Sequence, residues 1–205
     1  MLGSLLEKDL ATPEYYPMSL NAVVLACNQK NNRSPVVGFD AATVENALEG
    51  LRRKKLAAVI SGAGMRVPKY RHLLGEALNL GRRELAILAV LMLRGPQTLG
   101  ELRDRSGRMH AFADTSEVEA VLERLIEREE QPLAVRLPRA PGTKEPRYAH
   151  LLAREPAVPA GNASAPELPG PRADRIAELE AEVDRLRERM DELERRFADF
   201  RGQFE

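Results

Sequence analysis

Val67-Pro68-Lys69-Tyr70-Arg71-His72-Leu73-Leu74 returns later in the chain as Glu145-Pro146-Arg147-Tyr148-Ala149-His150-Leu151-Leu152, at an offset of 78 residues. Upstream, Thr43-Val44-Glu45-Asn46-Ala47-Leu48-Glu49-Gly50-Leu51 is matched by Glu117-Val118-Glu119-Ala120-Val121-Leu122-Glu123-Arg124-Leu125 at an offset of 74. Two matches in the same order point to one unit present twice. The four extra residues fall between the matched segments, where a longer hairpin in the second copy would place them.

Both copies read alike from this anchor outward. In the second, residues 84–94 form a helix ended by Gly95-Pro96. Thr98 then caps a short helix, with Glu101 three residues on completing a capping box. A third helix runs over about residues 115–129, with Val118, Leu122 and Leu125 on one face. Residues 133–137 and 147–151 pair around Pro141-Gly142. The first copy repeats the order: a stub of helix at 2–8, helices at 19–29 and 40–54, and a hairpin of 57–61 with 66–71 around Gly62-Ala63-Gly64. That glycine pair lacks the third glycine of a dinucleotide loop and lies between two strands, so a turn is the better reading. Three helices followed by a two-stranded hairpin make a winged-helix unit. The expected fold is mainly α with small β-hairpins (α+β), with winged-helix domains at 1–76 and 80–153.

Residues 154–171 are rich in proline, alanine and glycine and read as an extended tether. Over 172–201, apolar residues fall at Ile176, Leu179, Val183, Leu186, Met190, Leu193, Phe197 and Phe200, an unbroken 3-4 alternation. These are a and d positions of a coiled coil, and they favour a parallel homodimer. Arg175–Glu180, Glu182–Arg187 and Arg189–Glu194 attract across such a pair, while Arg196–Arg201 repels. The alternative is an amphipathic helix folded back on its own body.

Composition narrows the function. The chain has 205 residues and zero formal net charge, but residues 1–154 carry +5 and residues 155–205 carry −5. The body is mildly basic, well short of a strongly basic nucleic-acid protein. Neither a secretory leader nor an apolar run of spanning length is present, the longest strongly apolar stretch being 85–93. Cys27 is the single cysteine and lies on an apolar helical face with Leu20, Val23 and Val24, so it reads as core. A reducing cytoplasm is the expected compartment. His72 and His150 occupy matching positions of the repeats, and with His110 they complete the histidines. No Cys-x-x-Cys, His-x-x-x-His or carboxylate cluster offers metal spacing, and no nucleophile has a paired base. Neither metal, cofactor nor enzymatic activity is expected.

Binding is left, and DNA is the first candidate. In winged helices the third helix enters a major groove and the wing lies on phosphates. The candidate contacts are Lys30, Asn32 and Arg33 in a polar loop, Asn46 and Arg52 on helix three, and Arg66, Lys69 and Arg71 on the first wing. In the second copy they are Arg103 and Arg108 by helix two, and Arg136, Lys144 and Arg147 on the wing. The outward carboxylates of the second helix three, Glu117, Glu119, Glu123 and Glu127, oppose insertion there, which leaves the first copy as the better DNA reader. They also sustain a rival reading, a protein-interaction scaffold like the tandem winged-helix subunit of bacterial chromosome-condensation complexes.

Glu7-Lys8, Thr12-Pro13-Glu14, Tyr16-Pro17, Ser19-Leu20-Asn21 and Ala26-Cys27-Asn28-Gln29-Lys30, followed by Asn32-Arg33-Ser34-Pro35-Val36, resemble the bacterial YceH-like proteins. So do Leu93-Arg94-Gly95-Pro96-Gln97-Thr98, Gly100-Glu101-Leu102-Arg103 and Lys69-Tyr70-Arg71-His72. The resemblance covers residues 1–152 and the presence of a heptad tail. It implies a tandem winged-helix fold, with a first helix that starts several residues further upstream in the family, and it implies no activity.

Overall fold

A computed structural model describes residues 1–62, 65–139, 145–153 and 185. The turn residues Ala63-Gly64 and Pro141-Gly142, Lys144, the 154–171 tether and all eight heptad positions from Ile176 to Phe200 lie outside the described residues.

The first half opens with α1 (Leu2–Ala11), longer than the expected stub, and a single 3-10 turn at Pro13–Tyr15. Thr12 ends α1 by donating its hydroxyl to the Lys8 carbonyl at 3.2 Å, and Pro13 cannot continue the helix. Strand β1 (Met18–Ser19) leads into α2 (Leu20–Cys27), and Ser19 caps α2 by accepting from the Ala22 N–H at 3.4 Å. Helix α3 (Ala41–Arg53) follows, its Asp40 cap accepting from the Thr43 N–H at 2.7 Å. Strands β2 (Ala57–Ile60) and β3 (Lys69–His72) then form an antiparallel hairpin. Strand β1 joins the free edge of β3, with Met18 opposite Tyr70, in a three-stranded sheet of order β1-β3-β2.

A short helix unforeseen in the sequence, α4 (Leu74–Leu78), connects the halves and straddles the expected boundary at residue 76. The second half then repeats the order with α5 (Arg82–Arg94), α6 (Leu99–Ser106), α7 (Thr115–Ile126), β4 (Ala134–Arg136) and β5 (Tyr148–His150). Gly95 closes α5 at φ +71°, a conformation that favours glycine, with its N–H on the Leu91 carbonyl. The capping box at Thr98 and Glu101 is formed. Gln97 pairs with Tyr148 through both backbone groups, at 3.0 and 2.8 Å, which is the counterpart of Met18 on Tyr70.

The offsets resolve where the second copy is longer. Leu56 donates back to the Leu51 carbonyl, and Leu133 to the Leu125 carbonyl, so three of the four extra residues lie between α7 and β4. Ala57 pairs with His72 and Ala134 with His150, which leaves only one extra residue in the hairpin. The sequence reading had placed all four in the hairpin. The first copy in turn has five more residues between Ser19 and Asp40 than the second has between Thr98 and Asp114, all in the α2–α3 loop.

The described residues 1–153 lie within the first of two units, Met1–Pro159. Within the first unit, every residue of α5 from Leu85 to Leu91 is buried. A helix apolar all round must be covered all round: α6 and α7 take one side, and α1 of the first half takes another. Leu2, Leu6 and Leu10 of α1 accordingly belong to the core of α5, while Leu5 joins Val23, Ala26, Cys27, Val44 and Leu48 in the smaller core of the first half. Gly3 permits the close approach, because a Cβ there would lie 2.9 Å from Met92 Cβ. Arg82 fastens the contact by donating to the carbonyls of Leu10 at 2.7 Å and Met109 at 2.9 Å. Among the described residues no helix is long and apolar enough to cross a membrane.

Candidate nucleic-acid interface

The polar loop between α2 and α3 holds three of the candidate DNA contacts, but Asn28, Asn32 and Arg33 in it are engaged within the chain. Asn28 closes the loop at its base: its amide donates to the Phe39 carbonyl at 2.7 Å and accepts from the Phe39 N–H at 2.8 Å. Arg33 is the main correction. Its side chain is 4% exposed and pairs with Glu7 of α1, 11% exposed, at 2.7 Å, while donating to the Ala26 carbonyl at 2.6 Å. A guanidinium this deep is held by its partner, since an unpaired buried charge is costly. Asn32, at φ +60°, accepts from Arg94 of α5, and the Ser34 N–H donates to the Leu93 carbonyl at 2.9 Å. The loop is a clasp tying the end of α2 to α1 and to the last turn of α5. Of the three loop residues singled out by the sequence, only Lys30 is exposed.

Other expected contacts are also engaged within the chain. Arg52 pairs with Glu49 at 2.6 Å, Arg71 with Glu76 at 2.6 Å and Arg103 with Asp104 at 2.8 Å, all near the surface. Arg147 donates to the Pro96 carbonyl and to Glu101, both at 2.8 Å, so it anchors β5 to the start of α6. Glu101 takes Arg105 as well, at 3.3 Å, and despite its partial burial its carboxyl lies below the ordinary range because the Thr98 N–H and the two arginines favour its charged form. Across α7, Glu117 pairs with Arg83 and Arg124 with Glu84.

Among the described residues, no ion pair engages Arg53, Lys54, Lys55, Arg66 or Lys69 in the first half, or Arg108, Arg136 or Arg139 in the second. Arg53 and Lys54 end α3, whose outward face also presents Thr43, Glu45, Asn46 and the paired Glu49 and Arg52. Lys69 opens β3 opposite Ile60, and Arg66 precedes it in the hairpin connection. The outward face of α7 carries Glu123 and Glu127.

The histidines and cysteine sit in packing positions. Cys27 is buried in the first core. The His72 N–H donates to the Tyr16 hydroxyl at 2.5 Å, and His72 Nε2 lies 3.0 Å from Asp9. Burial raises the Tyr16 hydroxyl far above the ordinary tyrosine range. His150, at the matching register, has no such carboxylate among the described residues, and burial pulls it below the ordinary histidine value.

A second cationic feature escaped the sequence reading. A cleft of about 390 Å³ lies among α1, the α2–α3 loop, α5 and α6, with Lys8, Lys30, Arg94, Arg105 and Arg108 in its lining. Lys8, Arg94 and Arg105 each stand in the last turn of a helix, where cations complement the helix dipole. That local role hides a convergence that only the packing of α1 on α5 creates.

The class of protein is therefore an α+β chain built from a duplicated helix–strand–helix–helix–hairpin unit, its halves fastened by a buried polar clasp. Residues 1–143 match the family described as "Protein of unknown function, DUF480". A UPF0502 protein of Pelobacter propionicus is 55% identical over all of this chain and 95% of its own length. Another from Geobacter sulfurreducens is 53% identical over the same shares, and one from Opitutus terrae is 50% identical over 91% of this chain and 80% of its own. The chain belongs to this DUF480/UPF0502 family, the bacterial family that its motifs resemble.

Proposed function

We propose that this protein works by binding rather than catalysis, as a cytoplasmic, homodimeric, tandem winged-helix protein that holds DNA through its first half and takes part in regulation. Supporting the winged-helix reading is the repeated order of three helices and a hairpin, with a strand residue before each second helix pairing with the hairpin. The heptad tail supports dimerisation. The observation that carries DNA over other ligands is the set of unpaired cations at the end of α3 and on the first hairpin: Arg53, Lys54, Arg66 and Lys69. Asn46 and Arg52 share the outward face of α3 with Arg53. Arg136 and Arg139 extend the phosphate contacts from the second half.

Such contacts are mostly to phosphates, so affinity falls steeply with salt, with a slope of roughly −0.9 in log K against log[salt] per phosphate neutralised. Fluorescence anisotropy with a labelled genomic duplex tests this. Arg66→Gln with Lys69→Gln flattens the slope by about two units and leaves any sequence preference intact. Absence of duplex binding at low salt would sink the proposal. One observation favours the scaffold reading as the second: α7 turns Glu123 and Glu127 outward while neighbouring arginines are spent in ion pairs. On that reading Glu123→Gln weakens a protein partner and the hairpin changes matter little.

A further inference from the structure

We infer that the cleft between α1, the α2–α3 loop, α5 and α6 binds a small organic molecule carrying two or more linked phosphates. Its volume of about 390 Å³ is that of a small-ligand site. Lys8, Lys30, Arg94, Arg105 and Arg108 converge on it. Glu7 is the one carboxylate in the lining, and it is already matched by Arg33. Glu101 reaches Arg105 but divides its charge with Arg147.

Two of the cations are also held in place: Arg94 has no ion pair among the described residues, and Arg105 shares the single charge of Glu101 with Arg147. Arg94 donates to the Asn32 amide oxygen and Arg105 to that of Gln97. An amide oxygen orients a guanidinium but carries no net charge, and each guanidinium has five N–H donors, so most stay available for an anion. Burial, and then the neighbouring Arg105, pulls Arg94 below the ordinary arginine range, with Arg33 adding to the effect. A multiply charged anion relieves that mutual repulsion, whereas a single carboxylate would leave most of it. Val90, Leu93 and Met109 supply an apolar wall for the organic part of the ligand. The cleft shares no residue with the proposed duplex face, and the inference does not rest on that proposal.

Isothermal titration of the full chain with pyrophosphate tests the inference. Lys30 and Arg108 are exposed and hold no ion pair among the described residues, so removing them should leave the fold intact, which circular dichroism checks. Lys30→Ala with Arg108→Ala should weaken pyrophosphate about tenfold or more, since each removes a charge-assisted hydrogen bond. Lys55→Gln with Arg124→Gln makes the same change in net charge at exposed positions outside both the cleft and the proposed duplex face, and should leave affinity unchanged. Orthophosphate should bind more weakly than pyrophosphate. Absence of heat at millimolar pyrophosphate, or equal losses in the two double variants, overturns the site. If the Lys30/Arg108 variant instead loses duplex binding and pyrophosphate displaces the duplex, the cleft serves a nucleic-acid backbone and the small-molecule assignment is overturned.

Discussion

The two halves share an order of elements but divide the physical work. The second is organised around α5, buried on every side, and many of its arginines are tied to carboxylates of neighbouring elements. The first has a small core of its own, borrows burial from α5 through α1, and needs a polar clasp to hold its longest loop. Arg66 and Lys69 of its hairpin and Arg53 and Lys54 at the end of α3 hold no ion pair among the described residues. The two frames are similar in order, and packing makes one the support and leaves the other its surface charges.

The sharpest way to break this comparison is to open the clasp. Arg33→Ala leaves Glu7 buried without its partner and should cost about 3–5 kcal/mol. Calorimetry should still show one transition for residues 1–153, because α1 belongs to both cores. Two resolved transitions would mean that the halves fold separately. Arg33→Met combined with Glu7→Leu, which removes both charges, should recover most of the loss.

A smaller effect compares matching caps. Thr98→Ala should cost about 1–2 kcal/mol and Ser19→Ala about 0.5–1 kcal/mol by urea denaturation. Thr98 sits in a full capping box whose Glu101 also holds Arg147, whereas Ser19 makes one bond of 3.4 Å. Equal losses would show that the box adds nothing.

The smallest effect compares matching histidines. Burial keeps His150 neutral below the ordinary value of 6.5, so on acidification the unfolded chain takes up the proton first. Its contribution is complete above about pH 6.5 and is lost progressively as pH falls from there toward the depressed folded value. His150→Gln should therefore make the melting temperature fall less steeply with acid over that range. An unchanged slope would place the acid sensitivity elsewhere.

Periodicity and capping carried most of the helical frame, because Thr98-x-x-Glu101, Gly95-Pro96 and the repeated Tyr-x-His act over a few residues. Strand β1 and α4 were missed because two and five residues hold too little pattern. The fate of Arg33 was hidden for another reason. A run of asparagine, lysine and arginine reads as surface, and only α1 folding back brings Glu7 to it from 26 residues away. The cleft was illegible likewise: three of its cations lie at the ends of three helices and the others in connections, and tertiary packing alone gathers them.

The dependence of α1 on α5 has a consequence for synthesis. Leu2, Leu6 and Leu10 are made well before the helix that covers them, which begins only at Arg82. At about 5–20 residues per second, the ribosome takes roughly 4–16 s to make the intervening chain. Throughout that interval the nascent chain presents an uncovered leucine stripe, a handhold for a chaperone and a hazard between neighbouring polysomal chains.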